Sequence, residues 1–331
     1  MRLRRTTPQQ PGWRRVRRGR GFSYLDAAGQ PLAAADVERV KALVIPPAWV
    51  DVWICPFPNG HLQCVGQDEA GRRQYLYHPA WREQQDAKKF ERVMELARRL
   101  PGARRQLQAA LARTGPPDRE TALAAAVRLV DLGCFRLGDD AYTETYGSHG
   151  LTTLQCRHVQ TTGGGLVFDF VGKSGVEHLI EIDDRALVRT VTAMRARRRG
   201  DARLLAYRGP SRWEEIASDD VNQAIRDFVG LDVTAKDFRT WHGTVRVAAT
   251  LASQERGASA TERARQVRKA VADAADLLGN TPTVARGSYV NPRVIDLFED
   301  GVTISSTVAR LSKDPTKAQD QLDRAVVKLL R

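Results

Sequence analysis

The period of the hydrophobic pattern changes near Pro79, and that change sets what the chain can fold into. From about Gly21 to Pro79 short alternating runs are separated by turn residues. From Trp81 onward apolar residues recur at helical spacing. Phe22-Ser23-Tyr24-Leu25-Asp26 alternates and stops at Ala28-Gly29. A short helix is expected over 34–43, ending before Pro46-Pro47. Val52-Trp53-Ile54, the turn Pro58-Asn59-Gly60, then 61–66 and 72–77 read as a β-meander.

The helical part has clear punctuation. A helix over 119–132 is expected to stop at Gly133. Ser218 opens another that ends near Gly230, and Thr234 with Asp237 starts a third. Ser259 and Glu262 form a capping box before an apolar face of Ala264, Val267, Val271, Ala274 and Leu278, closed by Gly279. Thr281-Pro282 begins the next helix. Between the helices, runs 166–171 and 176–182 flank Gly172-Lys173-Ser174-Gly175, a hairpin with a lysine at its tip. Gly163-Gly164-Gly165 lacks a following Lys-Ser/Thr pair and reads as a flexible turn, not a phosphate cradle.

At 331 residues the chain is expected to form two domains, and 42% hydrophobic residues are enough to build a core. Lys and Arg number 52 against 39 Asp and Glu, a formal net charge of +13. That excess suits a polyanion, nucleic acid first and an anionic membrane second, though a basic enzyme with a charged surface has it too. The first twenty residues hold eight arginines and no acid. Such a run repels itself, so 1–20 is expected to be a mobile arm, either contacting DNA or simply solvated. It also mimics an organellar transit peptide. The start lacks the apolar core of a secretory signal, and no apolar run is long enough to span a membrane. Cys55, Cys64, Cys134 and Cys156 lack metal-ligand spacing and read as buried thiols in a reducing compartment.

Familiar catalytic signatures are missing: there is no Walker A, H-E-x-x-H, G-x-S-x-G or paired C-x-x-C motif. What stands out are basic residues in unusual places. Arg136 follows a helix stop, Arg239 sits among bulky apolar residues, and Lys173 tips the hairpin. Taken singly each has an ordinary reading: a surface charge for Arg136, a partner for Asp237 in Arg239, a solvated turn for Lys173, and packing for Tyr289. A partly buried Arg239 nevertheless wants an anion, a carboxylate or a phosphate.

In order along the chain, Arg136, Lys173, Arg239, Asn280 and Tyr289 resemble the catalytic set of the compact, poxvirus-like type IB DNA topoisomerases found in bacteria. The surrounding strings resemble the family too: Arg136 to Tyr142 with Gly150 to Leu154, Phe170 to Lys173, Lys236 to Trp241, Ser288 to Arg293, and Gly71 to Pro79 in the β-rich part. The resemblance covers about residue 20 to the end. It implies an α+β chain: a β-rich N-terminal DNA-binding domain over 21–90, and a mainly α-helical catalytic domain with a small β-sheet over 91–331, like tyrosine recombinases and type IB topoisomerases. It implies Tyr289 as nucleophile, Lys173 as general acid, and Arg136, Arg239 and Asn280 as donors to the phosphate. Asn280 departs from the His that most members carry, which removes a titrating imidazole but keeps a hydrogen-bond donor. Gln74, Tyr75, Tyr77, Tyr142 and Lys236 would contact DNA. The implied partner is duplex DNA, preferably supercoiled, gripped by a monomer that closes as a clamp. No cofactor or metal is implied, and the expected place is the cytoplasm at the bacterial nucleoid. The rival is a tyrosine site-specific recombinase, which usually has His where Lys236 stands and a helical N-terminal domain. A DNA-binding protein without activity would need neither Lys173 nor Tyr289.

Overall fold

The computed structural model describes residues 1–113 and 115–331, with Ala141 and Tyr142 described by backbone alone. It divides into Met1–Lys89 and Phe90–Arg331. The first unit is a five-stranded antiparallel sheet of order β2-β1-β3-β4-β5, from β1 (Trp13–Arg18), β2 (Gly21–Leu25), β3 (Val50–Ile54), β4 (Leu62–Gln67) and β5 (Arg73–Tyr77). Helix α1 (Ala34–Ala42) buries Val40 in a small core with Val52, Ile54 and Cys64.

The mobile arm expected over 1–20 is corrected here. Residues 13–18 are β1, an inner strand paired with both β2 and β3, and Arg4 bridges to Gly60. Self-repulsion does not decide the matter because the arginines are split between surfaces and partners. Arg15 donates to the carbonyls of Ile45 and Pro46 at 3.1 and 3.0 Å and lies over the Phe22 ring. Arg4 stacks on Phe57 with its guanidinium carbon 3.5 Å from the ring centre. Arg14, Arg17, Arg18 and Arg20 remain exposed. Strand pairing also satisfies the backbone, which a charge count leaves out.

Helix α2 (Pro79–Leu111) leads into the second unit. There follow α3 (Arg119–Gly133), α4 (Asp140–Tyr146), the three-stranded sheet β6 (Val159–Thr162), β7 (Gly165–Val171) and β8 (Glu177–Ile182), and α5 (Arg185–Arg195). A two-stranded ribbon, β9 (Ala206–Arg208) and β10 (Trp213–Glu215), precedes α6 (Ser218–Val229), α7 (Ala235–Ala252), α8 (Ala260–Leu278), α9 (Pro282–Ser288), α10 (Arg293–Glu299), α11 (Ser305–Val308) and α12 (Pro315–Leu329). This is the expected α+β organisation: a β-sheet unit first, then mainly helices around a small sheet. Gly163 and Gly164, both with positive φ, make the two-residue β6–β7 turn; this local geometry suits glycine because it carries no Cβ. No described helix is long and apolar enough to cross a membrane.

Helices α3 and α7 are buried nearly all round, so they form the axis of the second unit. Between them lies an ion network. Asp131 takes two hydrogen bonds from Arg104, both 2.9 Å, one from Arg128 at 2.8 Å, and meets His242 Nε2 at 3.1 Å. Arg104 also reaches Asp323 at 2.7 Å, and Asp323 accepts from Trp241 Nε1 at 2.9 Å. Burial alone would raise the Asp131 carboxyl, yet Arg104 and His242 hold it well below the usual carboxylate range. Its contribution is therefore present at neutral pH and is lost only as pH falls through that depressed value. Asp131→Ala would take one carboxylate from two buried guanidiniums, leaving Arg104 with Asp320 and Asp323 and Arg128 with Asp184, and we expect unfolding in urea to show a loss of about 3 kcal/mol.

Candidate active site

Arg136 and Arg239 are held by the ends of two helices. Helix α3 ends in a left-handed turn at Cys134, φ 52°, and its carbonyl accepts from Arg239 Nη1. The expected stop at Gly133 falls one residue later; Gly133 is the last helical residue, and a Cβ there would lie 2.3 Å from the Phe135 ring. Helix α8 ends at Gly279, φ 56°. Leu278 O accepts from Arg239 Nη2 at 2.7 Å, and Gly279 O from Arg136 Nη2 at 3.0 Å. Helix-end carbonyls lack intrahelical donors and carry partial negative charge, so they suit guanidiniums. They neutralise neither one. Among the described residues no carboxylate pairs with Arg136 or Arg239. Asp237, the ordinary partner for Arg239, instead binds Arg92 at 2.8 Å and the Thr234 amide at 2.9 Å.

Two positive charges thus share one buried place. Arg136 is pushed down to about 10, first by burial and then by Arg239. The fold disfavours its charged form, a cost present at neutral pH that an anion would offset. Two donors point the same way. Arg239 Nε and Asn280 Nδ2 are buried and without a hydrogen-bond partner. The amide orientation follows from chemistry. Arg136 Nη2 lies 2.5 Å from Asn280 Oδ1, and a guanidinium can only donate, so the oxygen must face it and the NH2 must face away. Each unpaired buried donor costs about 1–3 kcal/mol.

Tyr289 caps the C-terminal end of α9. Thr244 Oγ1, which donates to the Thr240 carbonyl at 2.8 Å, lies 3.3 Å from the Tyr289 carbonyl and accepts from the Asn291 amide at 3.0 Å, tying this backbone to α7. Gly243 permits the close approach: a Cβ there would sit 3.0 Å from the Tyr289 carbonyl. The Arg239 guanidinium carbon lies 5.2 Å from the Tyr289 ring centre. Lys173 stands exposed on the tight β7–β8 turn, where Ser174 and Gly175 take positive φ. Arg136, Lys173, Asn280 and Tyr289 line one open cavity of about 940 Å³. Arg239 lines the small adjoining pocket with Arg136 and Lys173. The five residues singled out from the sequence therefore come together.

The family model of the eukaryotic DNA topoisomerase I catalytic core matches residues 78–309, and that of the bacterial DNA topoisomerase IB N-terminal domain matches residues 21–68. The chain belongs to the type IB DNA topoisomerases. It is similar to the DNA topoisomerase 1B of Acanthamoeba polyphaga mimivirus, 27% identical over 291 residues and covering 84% of each chain. Membership makes the chain an enzyme that relaxes DNA, and Lys236 stands where the recombinase reading would want His.

The other residues are distributed less simply. Tyr75 and Tyr77 are exposed on one face of β5, stacked 6.1 Å apart. Gln74 takes the alternate face and donates to Asp68 at 2.9 Å. Lys236 is exposed one turn before Arg239 but lines neither cavity. The Tyr142 side chain lies outside the described residues. His178 was not singled out, yet it lines both cavities. The alternation of 177–182 held the signal, since it puts His178 on the face of Ile180 and the buried Ile182.

An unneutralised site should bind small dianions. At sulfate ten times its dissociation constant, linkage gives about 1.4 kcal/mol of stabilisation. Sulfate also stabilises proteins by exclusion from their surface. The check is therefore the sulfate-minus-chloride difference in melting temperature at matched ionic strength, which should shrink in Arg136→Gln.

Proposed function

We propose that the enzyme relaxes supercoiled duplex DNA by cutting one strand through Tyr289, letting that strand swivel about the intact one, and resealing it. The observation that carries this is the pair of buried, unpartnered donors, Arg239 Nε and Asn280 Nδ2, beside two unneutralised guanidiniums and a tyrosine. Such donors suit an anion whose charge grows during reaction, as it does on the phosphate oxygens when a fifth oxygen approaches phosphorus.

The steps follow from these groups. Tyr289 Oη attacks phosphorus, loses its proton to water, and forms a 3′-phosphotyrosyl bond as the P–O5′ bond breaks. The departing 5′-oxygen takes a proton from Lys173, which leaves a free 5′-hydroxyl. Resealing runs these steps backward. One phosphoester is exchanged for another, so no ATP is needed, and the side-chain cations fill the role that a metal plays in other phosphoryl transfers. On the DNA, Tyr75 and Tyr77 would meet bases or backbone in the major groove with Gln74 behind them, and Lys236 and Tyr142 would hold phosphates. A monomer gripping duplex between its two units as a clamp fits this division of labour, as does a place at the bacterial nucleoid.

The wild type should relax a supercoiled plasmid in EDTA without ATP, while Tyr289→Phe should bind DNA with unchanged affinity and form no covalent adduct. An adduct in that variant, read after denaturation in detergent, would remove Tyr289 from its role. Asn280→Ala should slow single-turnover cleavage roughly 10²-fold, the scale for one oxyanion donor, and Asn280→His should keep substantial activity. A normal cleavage rate in the Ala variant, coupled with a lowered melting temperature, would make Asn280 a helix-junction residue only.

A further inference from the structure

His178 occupies the seam between the segments that carry Lys173 and Asn280. Its ring is pressed against two glycines. A Cβ at Gly172 would fall 2.6 Å from its Cδ2, and one at Gly279 would fall 2.2 Å from its Cε1. Real Cβ atoms essentially never come that close, so both neighbours must be glycine for the ring to sit there. Gly172 immediately precedes Lys173, and Gly279 immediately precedes Asn280.

The ring is also the end of a stack. His178 is the cross-strand partner of Phe170, with centroids 5.0 Å apart and planes 17° apart. Phe170 stacks in turn on Phe135 at 5.9 Å and 18°. Phe135 immediately precedes Arg136. One aromatic column therefore touches the chain next to each of three site residues. The His178 ring makes no hydrogen bond among the described residues, so shape holds it there. Burial, Arg136 and Arg239 keep its imidazole below the usual value.

We propose that His178 is a positioning residue for strand cleavage: its ring is the spacer that fixes the Lys173 hairpin against the Gly279–Asn280 corner. This rests on the reading of Lys173 as the acid that protonates the leaving oxygen. Removing the spacer frees the hairpin tip, which is exposed and held by no ion pair of its own among the described residues. Proton delivery then suffers more than DNA binding or nucleophilic attack.

The test uses single-turnover cleavage of a duplex at a site mapped with the wild type. One substrate is normal; in the other, sulfur replaces the bridging 5′-oxygen and leaves without protonation. His178→Ala should cleave the normal duplex at least about tenfold more slowly, with unchanged DNA affinity, and the sulfur substrate should restore most of the rate. His178→Phe keeps a flat ring without nitrogens and should stay within a few-fold of wild type. Melting temperatures of both variants show whether the compared protein is folded. A near-normal rate in His178→Ala overturns the proposal. So does a His178→Phe variant that folds normally but is as slow as His178→Ala, because the nitrogens would then matter and not the ring. Lys173→Ala is measured beside them. If sulfur rescues Lys173→Ala but not His178→Ala, His178 does not act through the lysine, and the proposal fails. If sulfur fails to rescue Lys173→Ala, it is the general-acid reading that falls. The spacer is then judged on whether His178→Ala is slow while His178→Phe is not.

Discussion

Two guanidiniums held by carbonyls and by no described carboxylate are the constraint on which the second unit turns. A carboxylate partner would stabilise Arg239 but cancel the charge that, in the function proposed, meets the phosphodiester. The ends of α3 and α8 solve this by offering oriented dipoles. That solution dictates much else. Both helices must terminate within reach of the same place, which explains the left-handed residues Cys134 and Gly279 at their ends. Helix α7 must be buried around Arg239, so its other polar groups need partners. Asp237 turns to Arg92 and Thr234, and His242 turns to Asp131. The Asp131 network shares α3 and α7 with these guanidiniums, its own charges paired while Arg136 and Arg239 have no described carboxylate partner. Paired and unpaired charges thus lie close together in one helix packing.

The β-sheet segments answer a different need. In the function proposed, Lys173 must reach the bound strand, and a two-strand hairpin projects with few contacts at its tip. The aromatic column Phe135–Phe170–His178 lies at the hairpin's base, where precision can be kept without closing the cleft. Glycines at 172 and 279 let backbone meet ring directly. Bringing Arg136, Lys173 and Asn280 together from three separate segments asks for a shared reference, and packed rings supply one because they have few internal rotations to lose.

The helices were legible because their signals are local. Ser259 with Glu262 and Gly279 bound α8 within a residue, and Thr234 with Asp237 opened α7. The β-meander was legible from alternation and turns. What failed was non-local. Residues 1–20 read as an arm because charge was counted along the chain, whereas β1 finds its neighbours in β2 and β3. That Arg136, Lys173, Arg239, Asn280 and Tyr289 belong in one place was legible through their order and surrounding strings, not through their individual surroundings. Spacing suggested Asp237 for Arg239, but residues two apart on a helix do not face each other. His178 escaped because a strand histidine among apolar neighbours has no distinguishing mark until Gly172 and Gly279 close on it.

The asparagine at position 280 is consistent with this electrostatic setting. Beside two unneutralised guanidiniums, a positive imidazole would be disfavoured, and the lowered His178 shows the direction in which this surrounding acts on such a ring. A histidine here would work as a neutral group with one nitrogen accepting from Arg136 and the other donating outward. An asparagine offers the same pair, its oxygen facing Arg136 and its buried NH2 left free to donate, and it never titrates. The exchange keeps one acceptor and one donor in their places. What Arg136 fixes at this position is thus a polarity: an acceptor toward the guanidinium and one donor left over.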